Sequence, residues 1–426
     1  MDRMANRVIV VDDDPIVGNL TLELLKDAGF EARLIEDSLK AQDEIKREKP
    51  ALVILDILMP GIEGLALLYR LKSDPETAQI PAVVVSGKSF EAEKERARQY
   101  GAALFIEKPY DVDTFGARIA SIMKASGAQS EAAAPPPSPP APEPISELKI
   151  SVWGCRSSSS AAPSAASRYG RRTSCVSVEL PRHMIIFDAG SGLGPLGDEL
   201  MKSARFKELW MFLTHFHPDH VEGLADFPCA RDSSYALNIG GAGEPERPLE
   251  KMLAEALAPG LGAESPPCRI ALYEMLEQTY EILPGARMTA FYANHPGTTL
   301  GYVLQAEKRK IVYCPDSEVY GEAATALQDY DEKLGGLARE ADVLIHDGRF
   351  TLEDYKTRRN AGHSSFLAAV DFAGRNGVKH LILVHQDGDY ADEILDKMGE
   401  TADARVAERG YAMKVTIGRE DLRLSI

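Results

Sequence analysis

Seven consecutive residues, Thr214-His215-Phe216-His217-Pro218-Asp219-His220, contain three of the nine histidines in the chain. Imidazole nitrogens combined with carboxylate oxygens are ligands for divalent transition metals. On an extended segment, side chains two apart point the same way, so His215 and His217 can share an ion. Asp219 and His220, at the start of a following helix, can face a second ion a few ångströms off. A lone histidine is more often a core or surface residue, but three with an aspartate in six residues form a metal-binding pattern. His295 (in Ala293-Asn294-His295-Pro296-Gly297), Asp316 (in Tyr313-Cys314-Pro315-Asp316) and His385 (after 381–384) each end an apolar run and enter a loop. Loops at strand ends are where a scaffold presents ligands. His346 and His363 are further candidates, whereas His183 and His380 have no evident site role.

A second set of reactive groups lies near the start. Asp12 and Asp13 follow the apolar run 8–11, Asp56 ends 52–55, Ser86 ends 82–85, and Lys108 follows 103–106 and precedes Pro109. In a doubly wound sheet the carboxyl ends of neighbouring strands converge on one crevice. Three carboxylates gathered there repel unless a hard cation such as Mg²⁺ sits among them, which is the environment for phosphoryl transfer to an aspartate. Ser86 and Lys108 supply a hydroxyl and an ammonium for the phosphoryl oxygens. Loops collect Asp and Ser for turn formation alone, but that does not explain five such groups at consecutive strand ends.

The elements that must carry these groups divide the chain. Up to about residue 125, short apolar runs alternate with amphipathic segments such as 18–28 and 65–72, the pattern of a parallel sheet covered by helices on both faces. Residues 126–146 carry seven prolines between Pro135 and Pro144. They cannot pack a core and favour extended polyproline II at ~3.1 Å per residue. Beyond them, strands at 149–153, 175–180, 184–188, 209–213, 286–293, 299–305 and 310–314, then a strand-helix-strand at 342–384, predict two packed sheets flanked by helices. The Gly- and Pro-rich stretch 228–284 predicts only one helix, at 249–257.

Composition bounds the partners. The chain has 426 residues, enough for two or three domains, with 48 Lys and Arg against 65 Asp and Glu and a net charge of −17. Charge is −5 before the proline-rich segment, −2 within it and −10 after it. Binding of extended nucleic acid rests on phosphate neutralisation by Lys and Arg, so long RNA or DNA is a poor substrate. No run approaches the ~18 apolar residues of a membrane span, and the opening MDRMANRVIVV is too short an apolar run for a secretory signal. Five cysteines with no CxxC pair read as reduced thiols in the cytoplasm.

VVDDDP, LDILMPGIEG, VVVSG and FIEKPY, in this order across residues 1–125, resemble the motifs of the two-component receiver domain. The resemblance implies a flavodoxin-like doubly wound sheet in which Asp56 is the phosphoacceptor. Asp12, Asp13 and the Ile57 carbonyl, with Asp56, would hold Mg²⁺, Ser86 and Lys108 would grip the phosphoryl group, and Phe105 would be the aromatic switch. Its partner would be a sensor histidine kinase.

The histidine and aspartate motifs of residues 147–426 resemble the metallo-β-lactamase fold, an αββα sandwich. By that resemblance His215, His217 and His295 hold one ion, Asp219, His220 and His385 the other, and Asp316 bridges them. Cys314 is assigned to packing. His217 stands where the diiron redox branch has glutamate, which favours hydrolysis. Leu344-Ile345-His346-Asp347-Gly348-Arg349-Phe350 and Gly362-His363-Ser364-Ser365 resemble motifs of the phosphodiesterase branch that includes transfer-RNA 3′-endonuclease. Val152-Trp153-Gly154-Cys155-Arg156-Ser157 resembles that branch's entry motif, with Ser157 in place of glycine and Arg171-Arg172 in place of Gly-Asn. Asp188-Ala189-Gly190-Ser191-Gly192 is the expected turn beside the metals.

The implied protein is a response regulator in α/β architecture: a receiver (1–125), a linker (126–146) and a metal-dependent hydrolase (147–426). It would use two divalent ions, Zn²⁺ first with Mn²⁺ or Fe²⁺ as alternatives, on a small cyclic nucleotide or cyclic phosphate ester. Asp219 would orient or deprotonate water, and His363, backed by Asp347, would protonate the leaving oxygen. Lactone or thioester hydrolysis, or a metal-containing sensor or scaffold without turnover, are the alternatives. Phosphorylation would act through receiver docking or homodimerisation.

Overall fold

The computed structural model describes residues 6–57, 59, 64–86, 94, 97–108, 110–128, 147–158, 167–244, 246–261, 268–283, 285–320 and 328–426. Most of the proline-rich segment lies outside the described residues. Two compact units are present, Met1–Glu143 with Gln278–Arg287 and Pro144–Glu277 with Met288–Ile426.

In the first unit, β1 (Arg7–Val11), β2 (Glu31–Ile35), β3 (Leu52–Asp56), β4 (Ala82–Ser86) and β5 (Leu104–Glu107) form a five-stranded sheet of order β2-β1-β3-β4-β5. Every pairing is parallel. Alternate residues of the central strands feed two separate cores. Ile9, Val11, Val53, Leu55 and Val84 pack with Ile45, Leu65 and Leu68, while Val8, Val10, Leu52, Ile54 and Val83 pack with Leu25, Phe115 and Ile119. Burial on both faces is why these strands read as unbroken apolar runs. Asp14, the residue after the acidic pair, caps the helix Pro15–Asp27 by accepting from the backbone N–H groups of Ile16 and Val17.

The second unit contains two sheets. The first runs β11 (Arg269–Glu274), β10 (Ala236–Gly241), β9 (Glu208–Phe212), β8 (Met184–Phe187), β7 (Cys175–Glu179), β6 (Lys149–Gly154), β19 (Arg423–Ser425). The other runs β13 (Ala286–Tyr292), β14 (Leu300–Ala306), β15 (Arg309–Cys314), β16 (Val343–Asp347), β17 (His380–Val384), β18 (Lys414–Ile417), while β12 (Thr279–Leu283) lies in the segment Gln278–Arg287 that groups with the first unit. Aromatic rings from both sheets interlock between them: Phe187 of β8 stacks on Tyr313 of β15 at 4.9 Å, and Phe212 of β9 meets Tyr302 of β14 at 5.4 Å. Helix Leu193–Ser203 covers the outer face of the first sheet, and helix Phe366–Arg375 that of the second. The result is the expected αββα sandwich. Within 228–284, three strands (β10, β11, β12) accompany the one expected helix, which runs Leu249–Leu261. All five cysteines are free and buried, and Cys314 is part of the core.

Two outcomes follow from this packing. Phe187→Ala should cost about 3–5 kcal/mol, because the ring is enclosed between the sheets, whereas truncating the half-exposed Tyr292 should cost about 1 kcal/mol or less. Urea denaturation of the two variants checks the contrast, and equal midpoints would refute it. The His380 imidazole lies 2.9 Å from Thr416 Oγ1, and burial, aided by Lys414, pushes its pKa down to about 4. A depressed histidine adds stability above its unfolded pKa of about 6.5 that is lost as pH falls through the folded value. His380→Gln should therefore flatten the loss of thermal stability between those two pH values.

Candidate functional site

The strand ends of the sandwich converge on one cluster. β9 delivers Leu213 and Thr214 and then His215 and His217, and the short helix Pro218–Val221 starts with Pro218 and presents Asp219 and His220. Loops after β13, β15 and β17 supply His295, Asp316 and His385. Ligand atoms of His215, His217, His295 and Asp316 all lie within 4.8 Å of one another, as do those of Asp219, His220 and His385. Asp316 faces both groups. Its Oδ2 is 3.6 Å from His215 Nε2 and 3.8 Å from His295 Nε2, while its Oδ1 is 3.3 Å from His220 Nε2 and 3.4 Å from His385 Nε2. The expected bridging carboxylate thus has one oxygen toward each histidine set.

Neighbouring groups fix which imidazole nitrogen faces inward. His220 Nδ1 donates to Asp188 Oδ2 at 2.8 Å and His295 Nδ1 to the Gly362 carbonyl at 2.9 Å, while His215 Nδ1 lies 3.0 Å from Thr214 Oγ1. The inward Nε2 atoms of His215, His220 and His295, and Asp316 Oδ1, are buried without a hydrogen-bond partner. Such atoms are costly unless something satisfies them. Burial, reinforced by His220, drives the His215 imidazole well below its ordinary pKa. Burial opposes a charged Asp316, but His385, His220 and His215 outweigh it and hold its carboxyl well below the usual range. For His220, burial opposes the charged ring, but Asp316 and Asp188 override it and raise its pKa. A divalent cation could take the place of the proton that Asp316 and Asp188 favour on His220, and the nitrogen and oxygen donors suit Zn²⁺, Mn²⁺ or Fe²⁺.

Three of the supporting residues were not legible as such in the sequence. Asp188, expected only as part of a turn, also accepts from Thr214 N–H (2.7 Å), Thr214 Oγ1 and Tyr313 Oη (2.9 Å). It has a left-handed backbone (φ 57°), as does His385 (φ 60°). Non-glycine residues held in that region store strain, and they cluster at functional sites. Glu318 accepts from the N–H groups of Asn360 and Gly362 and from Tyr355 Oη, holding the loop whose Gly362 carbonyl orients His295. A Cβ on Gly362, which has φ +81°, would fall 2.7 Å from His295 Nδ1, so that position requires glycine. Arg349 donates from Nη1 to His363 Nε2 at 2.8 Å.

His363 joins the cluster, with a ligand atom near those of Asp316 and His385, and its Nδ1 donates to Asp347 Oδ2 at 2.8 Å. Burial pushes the Asp347 carboxyl up to about 7, and burial pushes His363 down to about 4. His346 is corrected. Adjacent residues on β16 point to opposite faces, so when Asp347 faces the site His346 stacks on Phe372 of the outer helix at 6.0 Å.

In the first unit, β1, β3, β4 and β5 bring Asp12, Asp56, Ser86 and Lys108 to the same sheet edge, with Asp13 beside them. Lys108 Nζ donates to Asp12 Oδ2 at 2.8 Å and to Asp56 Oδ1, and so offsets one of their two charges. Burial raises the Asp56 pKa to about 6 despite that ammonium, and burial also raises that of Asp13. Asp12, Asp13 and Asp56 do not form a three-ligand grouping as tight as those of the second unit. The Ile57 carbonyl accepts from Gly64 N–H at 2.8 Å and retains a second lone pair. Phe105 is half-buried against the core of the sheet.

Asp188→Asn keeps the shape of the second unit's cluster but weakens the acceptor that orients His220. Metal affinity, measured by chelator competition, should fall about 10- to 100-fold with the fold intact by circular dichroism. Unchanged affinity would remove Asp188 from the support of the site.

The family model for the response regulator receiver domain matches residues 8–120, and that for the beta-lactamase superfamily domain matches residues 183–386. The polar-differentiation response regulator DivK of Brucella anthropi is 31% identical over 112 residues, which cover 26% of this chain and 91% of DivK. The DNA-binding dual master transcriptional regulator RpaA of Synechocystis is 29% identical over 118 residues, covering 28% of this chain and 49% of RpaA, so the chain spans about half the length of that relative. Among solved structures, the metallo-beta-lactamase fold protein YhfI of Bacillus subtilis aligns with a TM-score of 0.48 and 17% identity, over 66% of this chain and 100% of YhfI. Through its first unit this chain belongs to the response regulator receiver family, and its second half carries a domain of the beta-lactamase superfamily.

Proposed function

We propose that the chain is a response regulator whose output is a binuclear metal-dependent phosphodiesterase acting on a small cyclic nucleotide or cyclic phosphate ester. The observation that carries this is the Asp316 carboxylate, divided between two sets of inward-facing imidazole nitrogens with His363 at its edge. His215, His217, His295 and Asp316 would hold one cation and Asp219, His220, His385 and Asp316 the other. Bound there, the pair would supply Lewis acidity, lowering the pKa of water and neutralising phosphate charge.

Asp219 would orient or deprotonate the attacking water. Its Oδ2 accepts from Ser158 N–H at 3.2 Å and lies 3.1 Å from His385 Nε2, so the carboxylate is held in one orientation. Asp347, itself fixed by the Arg349 backbone N–H at 2.9 Å, holds the Nδ1 proton of His363, so Nε2, an acceptor in the free site, is the atom that would take up the proton released by the attacking water and pass it to the leaving oxygen. Asp56 would accept a phosphoryl group from a sensor histidine kinase with Mg²⁺ held by Asp12, Asp13 and the Ile57 carbonyl. Ser86 and Lys108 would bind the phosphoryl oxygens, and Phe105 would report the change to the surface.

The test is a substrate panel on the metal-loaded full chain. Hydrolysis of bis-p-nitrophenyl phosphate or a cyclic nucleotide is expected, with kcat reduced about 10²- to 10⁴-fold by His363→Ala. Activity confined to lactones or thioesters would overturn the phosphodiesterase reading. Beryllofluoride with Mg²⁺ should raise the rate of the full chain toward that of a fragment beginning near Glu147. Equal rates in all three samples would restrict the receiver to partner docking.

A further inference from the structure

Arg349 is a guanidinium beside the proposed proton donor with few partners of its own. Of its five side-chain N–H groups, one is used in a hydrogen bond among the described residues, from Nη1 to His363 Nε2 at 2.8 Å. Nε is buried and has no hydrogen-bond partner. The carboxylate nearest to it, Asp387 Oδ2, is 3.7 Å away, beyond hydrogen-bond reach, and already accepts from Arg358 Nη1 at 3.1 Å. The guanidinium carbon lies 5.3 Å from the centre of the Phe350 ring, and the side chain keeps 24% of its surface exposed. An arginine needed only to brace His363 would gain more from a close, bidentate carboxylate than from a neutral imidazole. A partly exposed cation retained without such a partner, beside His363, is arranged for an anion that arrives from solution.

We infer that Arg349 is the substrate-anion contact of this site, donating to an oxygen of the phosphoester next to His363 and so favouring anionic esters over neutral lactones and thioesters. This rests on the hydrolase reading above and names the residue that would select its substrate class. The contact also explains the position of His363 Nε2. In the free site that nitrogen accepts from Arg349, and an incoming phosphoryl oxygen draws the guanidinium away and leaves Nε2 facing the leaving oxygen.

The test uses the full chain loaded with metal and inorganic phosphate as the probe. Phosphate affinity is measured by calorimetry for the wild type, Arg349→Gln and Arg349→Lys, with metal content measured in parallel. One charge-assisted hydrogen-bond pair is worth about 10- to 100-fold in affinity, so Arg349→Gln should weaken phosphate by that factor, and Arg349→Lys by less. The KM for bis-p-nitrophenyl phosphate should rise in step, whereas any turnover of a neutral lactone should change less than threefold. Phosphate affinity within twofold of wild type in Arg349→Gln, with metal retained, would overturn the assignment and leave Arg349 a brace for His363. If Arg349→Gln loses metal, Arg349→Met, of similar length and uncharged, takes its place with the same criteria. A wild-type chain that binds phosphate through Arg349 but hydrolyses no phosphodiester would sink the phosphodiesterase reading while the anion contact stands.

Discussion

A carboxylate buried among imidazoles, three of whose inward nitrogens have no hydrogen-bond partner, is the constraint on which the second unit depends. Asp316 is 1% exposed and faces His215 and His295 with one oxygen and His220 and His385 with the other. Burying such a group without compensation costs several kcal/mol, so the arrangement is stable only if protons or cations share the space. Protonating His220 is one answer, and the elevated pKa of that ring reflects it. Divalent cations are the other, and they satisfy the orphaned nitrogens as well as the carboxylates.

The rest of the sandwich keeps those groups from relaxing. The aromatic layer between the sheets is apolar where it packs and polar where it reaches the cluster. Tyr302 donates from Oη to the Leu213 carbonyl at 2.6 Å, and Tyr313 donates to Asp188 at 2.9 Å. Each ring contributes buried area and also fixes a strand end beside a ligand. The left-handed conformations of Asp188 and His385 are held by that framework, and they aim two side chains that relaxed strand ends would direct elsewhere. Glu318 performs the same task for the loop carrying Gly362 and His363.

Much of this was legible because chemistry at strand ends leaves a local signature. The His215 to His220 run, His295, Asp316 and His385 are each marked by an apolar strand followed by a ligand-forming residue, and they converge in space as their strand ends do. The receiver's Asp12, Asp56, Ser86 and Lys108 are marked in the same way. The three strands within 228–284 escaped because they lie among Gly and Pro clusters, where the alternation that identifies strands is broken. His346 and Asp347 could not be separated by spacing, since only the sheet's pleat decides which of two adjacent residues faces the site. Asp188, Glu318 and Arg349 were hidden for a different reason: a supporting residue is defined by the partner it meets across the fold, and no short motif encodes that.

The two units place different demands on charge. In the first, the Lys108 ammonium lies between two carboxylates. In the second, no lysine or arginine among the described residues bonds Asp316 or Asp219, and the negative charge is left for cations. The most direct measurement of this account is the metal content of the full chain after dialysis against metal-free buffer, compared with that of His220→Ala. Two divalent ions per chain, falling to about one in the variant, is the predicted result. Less than one ion per wild-type chain, or a content untouched by loss of His220, would contradict it.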